Sequence, residues 1–287
     1  MLIHIKTLCE EISNELGIKP TKKQIELGEL TQLRNATKIN DPDCPGLVCI
    51  GSRLGMGKTN FALDIVLDAA ISNQKDILIF SLEMTAKQIA ERLLRKLCGV
   101  NIREFRNSTR SEDDKAKLSA AIAFLQERNI LIDDNFNTSP AYIEKCIQSC
   151  ENPGVVLIDY LQLLHADEKE DAYQLEICKI IRSLLLQSQK YCVKMVVLTQ
   201  IGRIFRKDKR PILDDIRSIG CLHQDSDVVL FVYRDEYYES DSANDAAEII
   251  IAKNRYGECC TIHMRFDGLS VSFRENAAIE SEIAKAE

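Results

Sequence analysis

Six short apolar runs punctuate the chain between residues 47 and 233: LVCI (47–50), ILIFSL (77–82), NILID (129–133), VVLIDY (155–160), KMVVLT (194–199) and DVVLFVY (227–233). They are rich in Val, Ile and Leu and do not alternate with polar residues. Each therefore presents two apolar faces, as the strands of a parallel sheet sandwiched by helices do. Helical stretches lie between them, at 60–72, 85–97, 112–128, 139–150 and 172–190. Ser139-Pro140 supplies an N-cap and a proline in the first turn for one of these. After residue 245 the rhythm changes. AEIIIAK (247–253), CCTIHMRF (259–266) and LSVSF (269–273) follow one another without helices, joined by the turn sequences NRYGE and DG. That pattern predicts hairpins. The expected class is α/β: a mostly parallel sheet flanked by helices, with antiparallel strands at its C-terminal end.

The first 45 residues read differently. An amphipathic helix is predicted from Ile3 to Leu16, closed by Gly17 and Pro20, and a second from Lys22 to Asn35. Asp41-Pro42 and Cys44-Pro45-Gly46 then break the chain. The expected organisation is a helical extension or linker over 1–45, a main domain over 46–275 and a tail over 276–287. A chain of 287 residues that is 45% hydrophobic has room for one large core. Glu10, Glu11 and Glu15 interrupt the N-terminal apolar positions, which excludes a signal peptide, and no run is long enough to span a bilayer. A cytoplasmic protein with no membrane partner is expected. The eleven cysteines are scattered and form no matched CxxC pairs, and the four histidines lack ligand spacing. Reduced core cysteines, and no metal site built from protein ligands alone, follow from this. The net charge of −7 argues against a generally basic nucleic-acid binder, although a local patch can carry the opposite sign.

Candidate chemistry clusters at the strand ends. The segment Gly51-Ser52-Arg53-Leu54-Gly55-Met56-Gly57-Lys58-Thr59 follows the first strand and opens a helix. Glycines let backbone N–H groups wrap a phosphate, and the helix N-terminus adds positive partial charge. Ser52, Arg53, Gly55, Met56, Gly57, Lys58 and Thr59 are thus the candidate ATP-phosphate contacts, with the Thr59 hydroxyl on Mg2+. The strict motif has glycine where Ser52 stands. Asp159 ends the strand VVLIDY, where a carboxylate enters the ligand crevice and can hold the magnesium. Glu83 also emerges from a strand end, suited to activating water or simply solvated. Gln200 directly follows KMVVLT, as a γ-phosphate sensor or an ordinary strand-end amide. In the loop after it, Arg203, Arg206, Lys207, Lys209 and Arg210 make five of eight residues basic, which suits a phosphate backbone or a solvated loop. Phe205 adds an aromatic to the same loop. Lys253 and Arg255 stand at a hairpin tip, either local or reaching a neighbouring subunit's phosphates.

Taken together, LIFSLEM (78–84), LIDYLQLL (157–164), VVLTQ (196–200), KRP (209–211), the stretch from Asp215 to Tyr238 and AEIIIAKNRYG (247–257) resemble the C-terminal ATPase domain of the DnaB family of replicative helicases. The resemblance covers most of the chain, from about Gly46 to Phe273, and six ordered motifs make it specific. It implies a RecA-like P-loop domain, a homohexameric ring, ATP and Mg2+ between subunits, and single-stranded DNA in the channel. It further implies roles for Lys58 and Thr59 on phosphate and magnesium, Glu83 as the catalytic glutamate, Asp159 on magnesium and Gln200 as sensor. Lys253 and Arg255 match the basic pair offered in trans, and Arg217 and Gly220 fall in the DNA-contacting loop. Some positions depart from the family pattern. Only about 45 residues precede the core, too few for the collar domain that binds primase. Ile219 and Cys221 stand where the channel loop is usually polar. A primase partner is therefore not expected, whereas a helicase loader or a full-length helicase is. The alternative function is a nucleotide-dependent accessory protein that joins a helicase ring without unwinding DNA.

Overall fold

The computed structural model describes residues 1–23, 25, 30–72, 74–107, 111–167, 172–235 and 245–275. The proposed tail over 276–287 and the end of the Asp215–Tyr238 motif lie outside them. In chain order the elements are β1 (Ile3–His4), α1 (Ile5–Leu16), α2 (Thr31–Thr37), β2 (Gly46–Ser52), α3 (Lys58–Ser72), β3 (Asp76–Ser81), α4 (Ala86–Cys98), α5 (Ile102–Asn107), α6 (Glu112–Gln126) and β4 (Ile130–Asp133). There follow α7 (Pro140–Gln148), β5 (Pro153–Asp159), α8 (Tyr173–Lys190), β6 (Lys194–Gln200), α9 (Leu222–Asp225), β7 (Val228–Tyr233), β8 (Ala246–Asn254), β9 (Thr261–Asp267) and β10 (Ser272–Glu275).

Among the described residues, ten strands form one sheet, ordered β1-β4-β3-β5-β6-β2-β7-β8-β9-β10. The six from β4 to β7 are parallel. β8, β9 and β10 are antiparallel, as the loss of intervening helices predicts. The non-alternating strand sequences are explained by two cores. Val48, Ile50, Ile77, Ile79, Val155, Leu157, Val196 and Leu198 face one, with α1, α3, α4 and α6. Leu47, Cys49, Leu78, Phe80, Val156, Ile158, Met195 and Val197 face the other, with α7 and α8. β9 instead alternates buried and exposed residues, because only one of its faces is covered.

Local signals set the helix ends. Thr85 and Gln88 form a capping box before α4, which stops at Gly99 in the left-handed region. Ser139 caps α7 ahead of Pro140.

The N-terminal prediction needs two adjustments. Ile3 and His4 form β1, antiparallel to β4, rather than the first turn of a helix. Two residues carry no readable periodicity, and it is the open edge of β4 that recruits them. The second helix, expected from Lys22, begins at Thr31 among the described residues, and residues 24 and 26–29 lie outside the description. Among the described residues of this extension, α1 and α2 share the main core. Ile5, Leu8, Ile12 and Leu16 of α1 and Leu33 of α2 are buried in it. Their helical pattern sets them apart in sequence, but the apolar stripe of α1 packs on the chain's own α4 and α6.

A buried ion pair braces α4 against α3. Lys96 Nζ lies 2.8 Å from Asp64 Oδ1 and donates to Val271 O at 2.7 Å, while Asp64 Oδ2 accepts from Phe273 N at 2.9 Å. Burial raises the Asp64 pKa and lowers that of Lys96, each opposed by the partner's charge. The pair thus ties both helices to the β9–β10 turn and β10. Lys96→Ala leaves a carboxylate buried without its cation and is expected to destabilise the chain by about 3 kcal/mol. Denaturant melts read this directly, and a loss under about 1 kcal/mol would mean that water or a rearranged side chain replaces the ammonium.

Candidate active site

A cavity of about 630 Å3 opens where β2, β3 and β6 end. Its wall includes Ser52 to Gly55, Gly57 to Asn60, Glu83, Gln88, Arg92 and Gln200. This is the edge of a parallel sheet at which ligands bind. Between β2 and α3 the chain folds tightly, with Gly55 at φ 83° and Gly57 at φ 94°. A Cβ at Gly57 would come within 3.0 Å of the Phe273 ring, so glycine there is required twice over, by conformation and by space. Met56 is buried; its backbone remains part of the phosphate loop.

Lys58 and Thr59 line the cavity, and Asp159 is buried behind them. Thr59 Oγ1 donates to Asp159 Oδ2 at 2.7 Å, and Lys58 Nζ stands 3.8 Å from Oδ1 and 4.6 Å above the Tyr160 ring. Asp159 Oδ1 is buried with no hydrogen-bond donor. Burial pulls the Lys58 pKa down, and the charges of Asp159 and Glu83 pull it back up. A hydroxyl beside a buried carboxylate oxygen short of a donor is the hard oxygen set that magnesium takes. The glycine loop and helix N-terminus fit the phosphates.

Glu83 is exposed at the cavity, beyond the end of β3. Gln200 is held by Gln162, whose Nε2 donates to Thr199 Oγ1 at 2.9 Å and Gln200 O at 3.1 Å. Ile201 N donates to Ser52 O at 2.9 Å, fixing the exit of β6 to the phosphate loop.

Arg92, which sequence reasoning missed, lines the same cavity as Glu83. Burial lowers its pKa, and the charges of Asp159 and Glu83 oppose that shift. With Gln88 and Arg95 it forms a polar stripe at i, i+4 and i+7 on α4. In the sequence this stripe is indistinguishable from a solvated helix face.

Other predicted residues lie elsewhere. Lys253 Nζ donates to His223 O at 3.0 Å and Gln224 O at 2.7 Å, and Arg255 Nη1 pairs with Asp227 Oδ1 at 2.9 Å. Both sit beside the start of β7, at the opposite end of the sheet from the cavity. In the loop after β6, Arg206 makes a two-point contact with Asp215, Arg210 another with Glu248, and Lys209 donates to Ile204 O and Arg206 O. Arg203 and Lys207 are exposed, and Arg217 pairs with its exposed neighbour Asp214. Ile219 and Cys221, unexpected in a polar channel, are buried against α8 instead. Gly220 has φ 51°, and a Cβ there would meet Cys178 Sγ and Ile177 at 3.1 Å.

Phosphate loop, strand-end aspartate and sheet order together define a P-loop ATPase of the RecA-like class. The fold is shared with the RadB recombinase, at a TM-score of 0.51 and 15% identity. More narrowly, the chain belongs to the DnaB-like helicase C-terminal domain family, whose sequence profile matches residues 37–275. It is 39% identical over 230 residues to the replicative DNA helicase DnaB of Buchnera aphidicola subsp. Schizaphis graminum, covering 77% of this chain and 50% of that protein. To the DnaB of Geobacillus stearothermophilus it is 37% identical over 228 residues, again 77% and 50%. The chain thus spans about half the length of these relatives. Among solved structures, a DnaB-like replicative helicase studied with its interactions with primase superposes with a TM-score of 0.77 at 33% identity, covering 93% of this chain and 66% of that one. Among the described residues, no helix is long and apolar enough to cross a membrane.

Proposed function

We propose that this chain is the motor of a DnaB-type helicase, binding ATP with magnesium, assembling with copies of itself into a hexameric ring and hydrolysing ATP between subunits to move along single-stranded DNA during replication in the cytoplasm. The observation that carries this reading is the convergence of Lys58, Thr59, Glu83 and Gln200 on one cavity, with Asp159 buried against Thr59 and Lys58 and with Lys253 and Arg255 at the far end of the same sheet.

In this reading the backbone N–H groups of the loop before α3 cradle the phosphates and Lys58 turns from Asp159 to the outer ones. Thr59 and Asp159 would hold the magnesium, which supplies a Lewis acid for the phosphate oxygens when bound. Glu83 orients a water and accepts its proton as the water attacks the γ-phosphorus, and the bond to the β–γ bridging oxygen breaks. Arg92 from within and Arg255 from a neighbouring copy stabilise the charge on the transferred phosphoryl. The position of Arg255 away from its own cavity supports a role in trans. Gln200 senses the γ-phosphate, and Gln162 couples that strand end to the Asp159 strand.

Arg203 and Lys207, with Arg217 once it gives up its exposed partner Asp214, are the cations through which the two loops engage DNA. Three phosphate contacts per copy give a slope of about −2 in log affinity against log salt, so a fourfold rise in salt weakens binding roughly twentyfold. The accessory reading has one observation in its favour: Arg206, Lys209 and Arg210 are already engaged internally. ATP hydrolysis with and without single-stranded DNA, at low and moderate salt, separates the two. Stimulation that fades with salt is expected of the motor. Turnover indifferent to DNA at both salts would shift the function to the accessory.

A further inference from the structure

The loop leaving β6 is fastened on one side and bare on the other. Ile204 is 4% exposed, and Lys209 ties down the carbonyls of Ile204 and Arg206. The guanidinium of Arg206 is clamped on Asp215 and that of Arg210 on Glu248. Against this held framework, Phe205 is 85% exposed. The exposed cations Arg203 and Lys207 flank it two residues to either side. The Arg203 guanidinium lies 5.7 Å from the centre of the Phe205 ring.

We infer that Phe205 is a stacking platform for a nucleic-acid base, with Arg203 and Lys207 holding the phosphates on either side of that base. The inference rests on the proposed reading that the chain engages single-stranded DNA, and it adds a contact to the base face that phosphate binding does not require. An aromatic ring displayed by a loop already ordered loses little conformational freedom when a base stacks on it. The flanking cations match the charge of the strand, and stacking accepts any base because every base has a π-face.

The test uses the full chain with ATP and magnesium, and two labelled oligonucleotides of equal length. One is oligo-dT and the other carries abasic sites throughout, so that phosphate number is the same. Fluorescence anisotropy is read at fixed salt for the wild type, Phe205→Ala and Phe205→Trp. Stacking by an aromatic predicts roughly tenfold tighter binding of the base-bearing strand by the wild type. Phe205→Ala should abolish that preference and leave affinity for the abasic strand unchanged, whereas Phe205→Trp should keep it. Equal affinity of the wild type for both strands, or a preference that survives Phe205→Ala, overturns the platform while leaving the DNA reading intact. Absence of binding to either strand removes the DNA reading and the platform with it. If Phe205→Ala weakens binding to both strands equally and lowers the assembly mass in light scattering, the ring's neighbour is a second copy of the chain, and the inference falls.

Discussion

Glu83→Gln is expected to reduce ATP turnover about a thousandfold while ATP binding stays within a factor of a few of the wild type. The amide has the shape of the carboxylate but cannot take a proton from water. Glu83 is exposed at the rim of the cavity, so neither the core nor the phosphate loop depends on it. The measurement is steady-state phosphate release beside equilibrium binding of a fluorescent ATP analogue. A loss of less than about tenfold would pass the role to another carboxylate. Glu91 lines the same cavity, but its Oε1 is held 2.7 Å from Arg106 Nη2 and is poorly placed to serve.

Arg255→Ala is expected to cost a comparable factor, about a thousandfold, if its guanidinium acts on a neighbour's phosphates. The more telling experiment mixes this variant with Glu83→Gln. Each is inactive alone. In a mixed assembly, a cavity from an Arg255→Ala subunit beside a Glu83→Gln neighbour keeps both the glutamate and the arginine. Recovered turnover on mixing is therefore the expected result. No recovery would confine Arg255 to its local pair with Asp227. The thermal midpoint serves as control. Asp227 Oδ2 still accepts from Leu47 N at 2.9 Å, so the loss of one half-exposed ion pair should change stability by about 1 kcal/mol or less.

Part of this site is legible in the sequence alone. Gly57, Lys58 and Thr59 are contiguous, and their job depends on local backbone conformation and a helix start. Such information is encoded within a few residues. Asp159, Glu83 and Gln200 can be placed because each terminates an apolar strand, and the carboxyl ends of parallel strands share one crevice. Arg92 cannot. Its position on α4 is ordinary for a solvated face, and only the packing of α4 against α1, α3 and α6 brings it to the wall of the cavity that Glu83 also lines. The basic loop misleads for a related reason. Its run of cations suggests a free patch, but the Arg206 partner Asp215 lies beyond the loop and the Arg210 partner Glu248 lies on another strand. No composition rule connects them.

The sequence by itself determined the strand–helix alternation, the phosphate loop, the antiparallel end of the sheet and the family. All four are written as local periodicity or as contiguous motifs. Tertiary structure alone decided that Ile3 and His4 would close the edge of β4, that α1 and α2 would join the main core and that Ile219 and Cys221 would turn inward onto α8. It also set the Asp64–Lys96 brace and the separation of Arg255 from its own cavity. These depend on which distant side chains meet once the sheet takes the order β4-β3-β5-β6-β2-β7. Such meetings follow from the three-dimensional competition for burial and charge partners, which leaves no period in the chain to read.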